Sequence, residues 1–157
     1  TLPQVGGTAY LAQIVDAIVT RLSGNTPAST RVYASRVHPL TTAELPAWRV
    51  FADEETIVTQ TVHFPAVLEH ALSVQCDGYV QANSSVDDAM HAMAEQALIA
   101  LYDTLAHLTL GITNLSVNAP QRIEREVVNE GQANLGRIGL SLLLRYRTAQ
   151  NDPATII

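Results

Sequence analysis

The sequence predicts an α+β domain, a mainly antiparallel β-sheet with two helices packed on one face, extended arms and a β-hairpin-like excursion. Two segments repeat apolar residues at helical spacing, and several others alternate apolar and polar residues with the period of a strand. Their order, α-β-β-(β)-β-α-β-(β)-β, sets runs of strands between single helices. At 157 residues, with 47% hydrophobic and 15% charged side chains, the chain has the size and composition of one domain with a real core. No repeat of 20–50 residues divides it.

Residues 1–7, TLPQVGG, have no period and read as an N-terminal arm. From Thr8 the residues Tyr10, Leu11, Ile14, Val15, Ile18, Val19 and Leu22 line one helical face. Thr8 suits an N-cap and Gly24 a stop, giving a first helix over 8–23. TRVYAS and AWRVFAD read as short strands, separated by a segment that Pro39 and Pro46 keep from being continuous strand. Glu54 and Glu55 end the second strand in a solvated turn. TIVTQTVHF is β-prone and is cut off by Pro65. Leu68, His70, Leu72, Val74, Cys76 and Val80 then share one face of a long half-buried strand.

Ser85 and Asp88 resemble a capping box, and Asp87 and Asp88 suit the first turn of a second helix. Its stripe of Val86, Met90, Met93, Ala97, Leu101, Leu105 and Leu108 runs to about residue 108. Ile99 lies on nearly the opposite side, so this helix has a second apolar surface. GITNLSVN and RIEREVV read as strands and NEGQANLG as a turn. Ile138, Leu140, Leu142, Leu144 and Tyr146 alternate through the strongest strand signal in the chain. Residues 149–157 read as a C-terminal tail.

The formal charge of −6 argues against a protein whose task is to grip phosphate. A lone cysteine, Cys76, offers no internal disulfide. No 18-residue apolar run predicts a membrane span, and no basic-then-apolar leader is seen. The sequence implies no cofactor and no metal. The five histidines have no zinc-type spacing, and Asp87, His91 and Glu95 read as the solvated shoulder of a helix. His70 alternates inward and reads as a buried or interface histidine satisfied by a hydrogen bond rather than a catalytic base. No nucleophile elbow or Walker loop is present. A small enzyme or ligand-binding subunit would use a pocket at His38 and Ser35. The mixed-charge ribbon Arg122, Glu124, Arg125, Glu126 and the apolar ends Ile156 and Ile157 point instead towards assembly.

The stretch from Arg31 to Phe51, above all VYASRVHPL running into ELPAWRVF, resembles the tail terminator and minor tail protein family of long, non-contractile-tailed bacteriophages. Arg145-Tyr-Arg-Thr148 is a second match, and with the element order the likeness spans residues 8–148. His70 departs from it, since a basic residue is expected after Glu69, and so does the extended TIVTQTVHFP segment. The resemblance implies a non-enzymatic virion subunit, assembled in the host cytoplasm, that forms a ring, usually a hexamer. The ring caps the head-proximal end of the tail tube, stops its growth and receives the head-tail connector. Its partners would be copies of itself, the tube protein, the connector and genomic DNA passing unread through the lumen. Arg31 and Arg36 become candidate contacts between subunits. A head-tail joining or neck protein is the alternative within the same class.

Overall fold

The computed structural model describes residues 4–35, 37, 45–82, 86–102, 115–118, 120–130 and 133–157. Arg36, His38 and the stretch 103–108, over which the second helix is expected to continue, lie outside the described residues. The elements run α1 (Gln4–Leu22), β1 (Val32–Tyr33), β2 (Ala47–Thr59), β3 (Val67–Ala82), α2 (Val86–Tyr102), β4 (Ser116–Val117), β5 (Arg122–Glu130), β6 (Ala133–Ala149) and β7 (Asp152–Ile156). They form the expected α+β architecture around a seven-stranded sheet. Among the described residues only the short β1, beside β2, is parallel to its neighbour.

Strands β2, β3 and β6 make the body of the sheet. Antiparallel pairing joins Ala47–Thr59 to Leu68–Tyr79, and Val67–Ala82 to Asn134–Ala149. The far side of β6 is shared along its length by β5, β4 and β7. Strand alternation then sorts the side chains. Leu72, Val74, Cys76 and Val80 of β3 and Ile138, Leu140, Leu142 and Leu144 of β6 point to one face and are buried there. Ile14, Ile18 and Leu22 of α1 and Met90, Met93, Ala97 and Leu101 of α2 close over them in a single core. Trp48 is fully buried in that core, its indole N–H donating to Thr26 Oγ1 at 3.2 Å. Leu22 ends α1, and Gly24 takes φ of +79°, the left-handed conformation that glycine adopts without strain.

Several boundaries differ from those read in the sequence. Helix α1 begins at Gln4, inside the stretch expected to be an arm. Gly6 and Gly7 disfavour a helix by about 1 kcal/mol each, but packing of the helix on the sheet overrides propensity. The expected tail returns as β7, where Ile156 pairs with Thr148 and packs against the core. TRVYAS contributes only Val32 and Tyr33 as strand, because Ser29 turns the chain at φ of +54° just before it. The two glutamates do not end β2. A bulge between Ala52 and Glu54 lets the strand absorb the acidic run and continue to Thr59. β5 and β6 together extend into the expected NEGQANLG turn, up to Glu130 and from Ala133. No helix among the described residues is long and apolar enough to cross a membrane.

Candidate subunit interface

Among the described residues the two edges of the sheet carry no further strand over part of their length, and they differ from each other. β1 covers β2 at Trp48 and Arg49, and among the described residues no strand pairs with the outer side of β2 from Glu54 to Thr59. This edge carries the acids Asp53, Glu54 and Glu55 and then the exposed Ile57 and Val58. Beyond it the connection to β3 presents Val62, 97% exposed, and Phe64, 77% exposed. The base of this connection is pinned rather than loose. Gln60 N–H donates to Val67 O at 2.7 Å, Val67 N–H to Thr61 Oγ1 at 3.0 Å, and Gln60 Nε2 to Glu69 Oε2 at 2.8 Å.

The opposite edge is β5. Its alternation puts Ile123, Arg125 and Val127 level with Leu140, Ile138 and Gly136, on the face of the sheet that the helices occupy. All three are nonetheless exposed, since β5 lies outside the core they would otherwise extend. Arg125 has no partner among the described residues. On the other face, Arg122 pairs with Glu124. Arg137 reaches Asp77 at 3.2 Å, Glu124 at 3.7 Å and Glu126 at 3.8 Å. Burial pulls the Arg137 guanidinium down, but Asp77, Tyr79 and Glu124 outweigh it and leave the group more basic than usual.

The remaining residues singled out in the sequence lie elsewhere. Arg31 is engaged inside the chain, its Nε donating to Pro46 O at 2.9 Å and tying the 27–31 turn to the start of β2. Ile99 is exposed on α2 and, with Asn25, Gln96 and Ala100, lines a shallow hollow of about 250 Å³. Ile157 is exposed and donates its N–H to Arg147 O at 2.8 Å. It borders an open cleft of about 350 Å³ with Glu69, Ser116, Arg145, Tyr146 and Arg147. Among the described residues no group of three or more acidic, histidine or cysteine side chains is placed to hold a metal ion. The His38 side of the proposed pocket lies outside the described residues, and Ser35 Oγ accepts the N–H of Val37 at 3.2 Å.

His70 anchors the polar cluster that sequence reasoning saw only in part. The ring is 2% exposed and holds Glu55 Oε1 at 2.6 Å through Nδ1 and Thr148 Oγ1 at 2.7 Å through Nε2. Tyr146 stacks on it, with centroids 4.6 Å apart, and donates its hydroxyl to the same Glu55 oxygen at 2.5 Å. An ionised carboxylate only accepts, so Nδ1 bears a proton and Nε2 faces the threonine hydroxyl. The order Thr-His-Glu has the outline of a hydrolytic relay. Thr148 is wholly buried, however, so no substrate carbonyl reaches its oxygen and the cluster ties β2, β3 and β6 together. The missed partner was Glu55. The bulge shifts the strand's phase by one residue, so simple alternation from Trp48 assigns it to the wrong face.

No family model matches the chain, and no curated protein does. Among solved structures, one chain of a particle described as "Virion of native gene transfer agent (GTA) particle" aligns with it at 19% sequence identity and a TM-score of 0.49. The alignment covers 88% of this chain and 98% of that one.

Proposed function

We propose that this chain is a non-enzymatic structural subunit of a virion, the tail terminator of a long, non-contractile phage tail. In this role it closes into a ring on the head-proximal end of the tail tube, ends tube growth and offers its other face to the head-tail connector. The observation that carries the reading is the pair of unlike edges on one sheet, acidic and apolar on β2, and on β5 a mixed-charge strand whose helix-side face sets Arg125 between Ile123 and Val127. A contact between unlike surfaces is heterologous. It repeats from subunit to subunit and either closes into a ring or runs on as a filament. The likeness of Arg31–Phe51 and Arg145–Thr148 to tail terminators favours the ring and its place in the particle.

Other features suit the same task. The pinned loop that presents Val62 and Phe64 projects apolar surface from the end of the β2–β3 hairpin, where burial against a second protein would stabilise contact. The net charge of −6 gives the lumen no general grip on phosphate, so DNA passes through without being held. The test is the mass of the purified protein in solution, alone and with tube protein. A ring-sized species, or tubes capped at one end and arrested in length, is expected. A monomer that never associates with tube protein refutes the role, and a label found beyond the tube, against the portal, assigns it to the neck instead.

A further inference from the structure

On the helix side of the sheet the two edges match each other in more than sign, and we infer that β2 of one copy pairs antiparallel with β5 of the next, with Ile57 opposite Ile123 and Glu55 opposite Arg125. This register rests on the ring proposed above and names the surface that closes it.

Three independent features select it. The first is the direction of the backbone groups. Gln60 N–H bonds to Val67 O, so by alternation residues 60, 58, 56 and 54 spend their backbone groups on β3, while Glu55 and Ile57 turn theirs outward. On the other edge, Glu130 and Ala133 close the β5–β6 pair with two residues between them, which makes theirs a hydrogen-bonded pair. Alternation from there turns the N–H and C=O groups of Ile123, Arg125 and Val127 outward. The residues proposed to face each other are therefore those whose backbone groups are free to bond.

The second feature is the side-chain pattern on one face. Glu55 and Ile57 lie level with Leu72 and His70, on the helix side of the sheet, and Ile123 and Arg125 lie level with Leu140 and Ile138, on the same side. Setting Ile57 opposite Ile123 joins two exposed apolar side chains and brings Arg125 to Glu55. Only one oxygen of that carboxylate is engaged by His70 and Tyr146, and its second oxygen has no partner among the described residues. Arg125 likewise has none. The pairing gives an exposed cation and a half-shielded anion a charge-assisted bond.

The third feature is geometric. Ile57 lies level with Tyr146 through His70, and Ile123 lies level with Leu140, six residues further up β6. A slip of that size across four strands (β2, β3, β6 and β5) corresponds to a strand tilt of about 45°, at the upper end of the range of about 35–45° that closed sheets adopt.

Oxidative cross-linking tests the register. Protein carrying Ile57→Cys mixed with protein carrying Ile123→Cys should give disulfide-linked dimers, and the double variant should give a ladder of higher multiples. Neither single variant should link to itself, and Ile57→Cys with Val127→Cys, four positions out of register, should link at least tenfold less. Arg125→Glu should lower the assembled fraction about tenfold without changing the melting temperature of the monomer, and Arg125→Lys should restore most of it. Self-linked Ile57→Cys dimers, equal linking in the shifted pair, or unchanged assembly of Arg125→Glu overturns the pairing. A ring-sized mass with none of the expected links sinks this register and leaves the ring. A monomer without links sinks both.

Discussion

Replacing His70 with phenylalanine tests whether the Glu55–His70–Thr148 cluster contributes to stability or merely occupies space. Phenylalanine keeps a ring on Tyr146, where the present pair stacks with an interplanar angle of 10°. It removes both ring nitrogens. Thr148 Oγ1, in a residue with no exposure, then loses the bond it makes at 2.7 Å, and burial shields it from bulk solvent. An orphaned buried hydroxyl costs about 1–3 kcal/mol. Glu55 suffers less, because its side chain is 25% exposed and still accepts from Tyr146. The sum is a loss of about 2 kcal/mol, or about 4–8 °C in melting temperature for a domain of this size. Urea denaturation and thermal melts would read it. The double variant His70→Phe with Thr148→Val removes the orphan and should recover at least half the loss, since deleting both partners of a buried bond is close to neutral. A single variant within about 0.5 kcal/mol of the parent, or a double variant no better than the single, would refute the reasoning.

Two further outcomes follow from the core. Burial, assisted by the Asp77 charge, pushes the Cys76 thiol up from 9.0 to about 12. The native protein should therefore resist Ellman's reagent at pH 8 and react only on unfolding. The folded chain keeps a proton that the unfolded chain releases above pH 9. Stability should thus be unaffected below that pH and fall by about 1.4 kcal/mol per unit between pH 9 and pH 12. Cys76→Ala should remove that component of the slope, and an unchanged slope would count against it. Gly78→Ala would set a methyl 2.9 Å from the Trp48 ring, which is itself fully buried, at a cost of about 1–3 kcal/mol. The urea midpoint should fall with an unchanged m-value, and a midpoint equal to the parent's would show that the ring has room to move.

How much of this was legible in the sequence depended on whether neighbours in the chain or neighbours in space decided the outcome. The alternation from Leu68 to Val80 and from Ile138 to Tyr146 gave the two central strands, because both faces there have a fixed character. The same alternation turned His70 inward and marked it as a satisfied buried histidine, which it is. Three features were set by distant contacts. Helix α1 starts four residues before Thr8 despite two glycines, β7 exists because β6 offers it an edge, and β2 runs through an acidic stretch that reads as a turn. Glu55 is the clearest instance. Its role depends on a bulge that local sequence does not announce and on Tyr146, 91 positions away. The edges were legible only as mixed charge in RIEREVV. That Ile123, Arg125 and Val127 share the helix-side face became visible with the register to β6.

An exposed strand edge is an invitation to aggregate, and both edges of this sheet carry features that narrow the choice of partner. The β2 edge has a bulge and three acids in succession, so pairing with its own copy about Glu55 sets carboxylate against carboxylate. Pairing β5 with its own copy about Arg125 would place two guanidiniums face to face in the centre of the contact, with Ile123 against Val127 on either side. Like charges directly opposite in a ladder are destabilising by an amount comparable to what an apolar pair contributes, roughly 0.2–1 kcal/mol. Unlike pairing avoids both penalties on the helix side and leaves only Glu54 near Glu126 on the other face. In these registers the arrangement disfavours the symmetric dimers more than the head-to-tail contact. If the proposed pairing holds, a subunit whose edges disfavour themselves and accept each other would stay dispersed until enough neighbours close the circle, which is the behaviour the proposed ring requires.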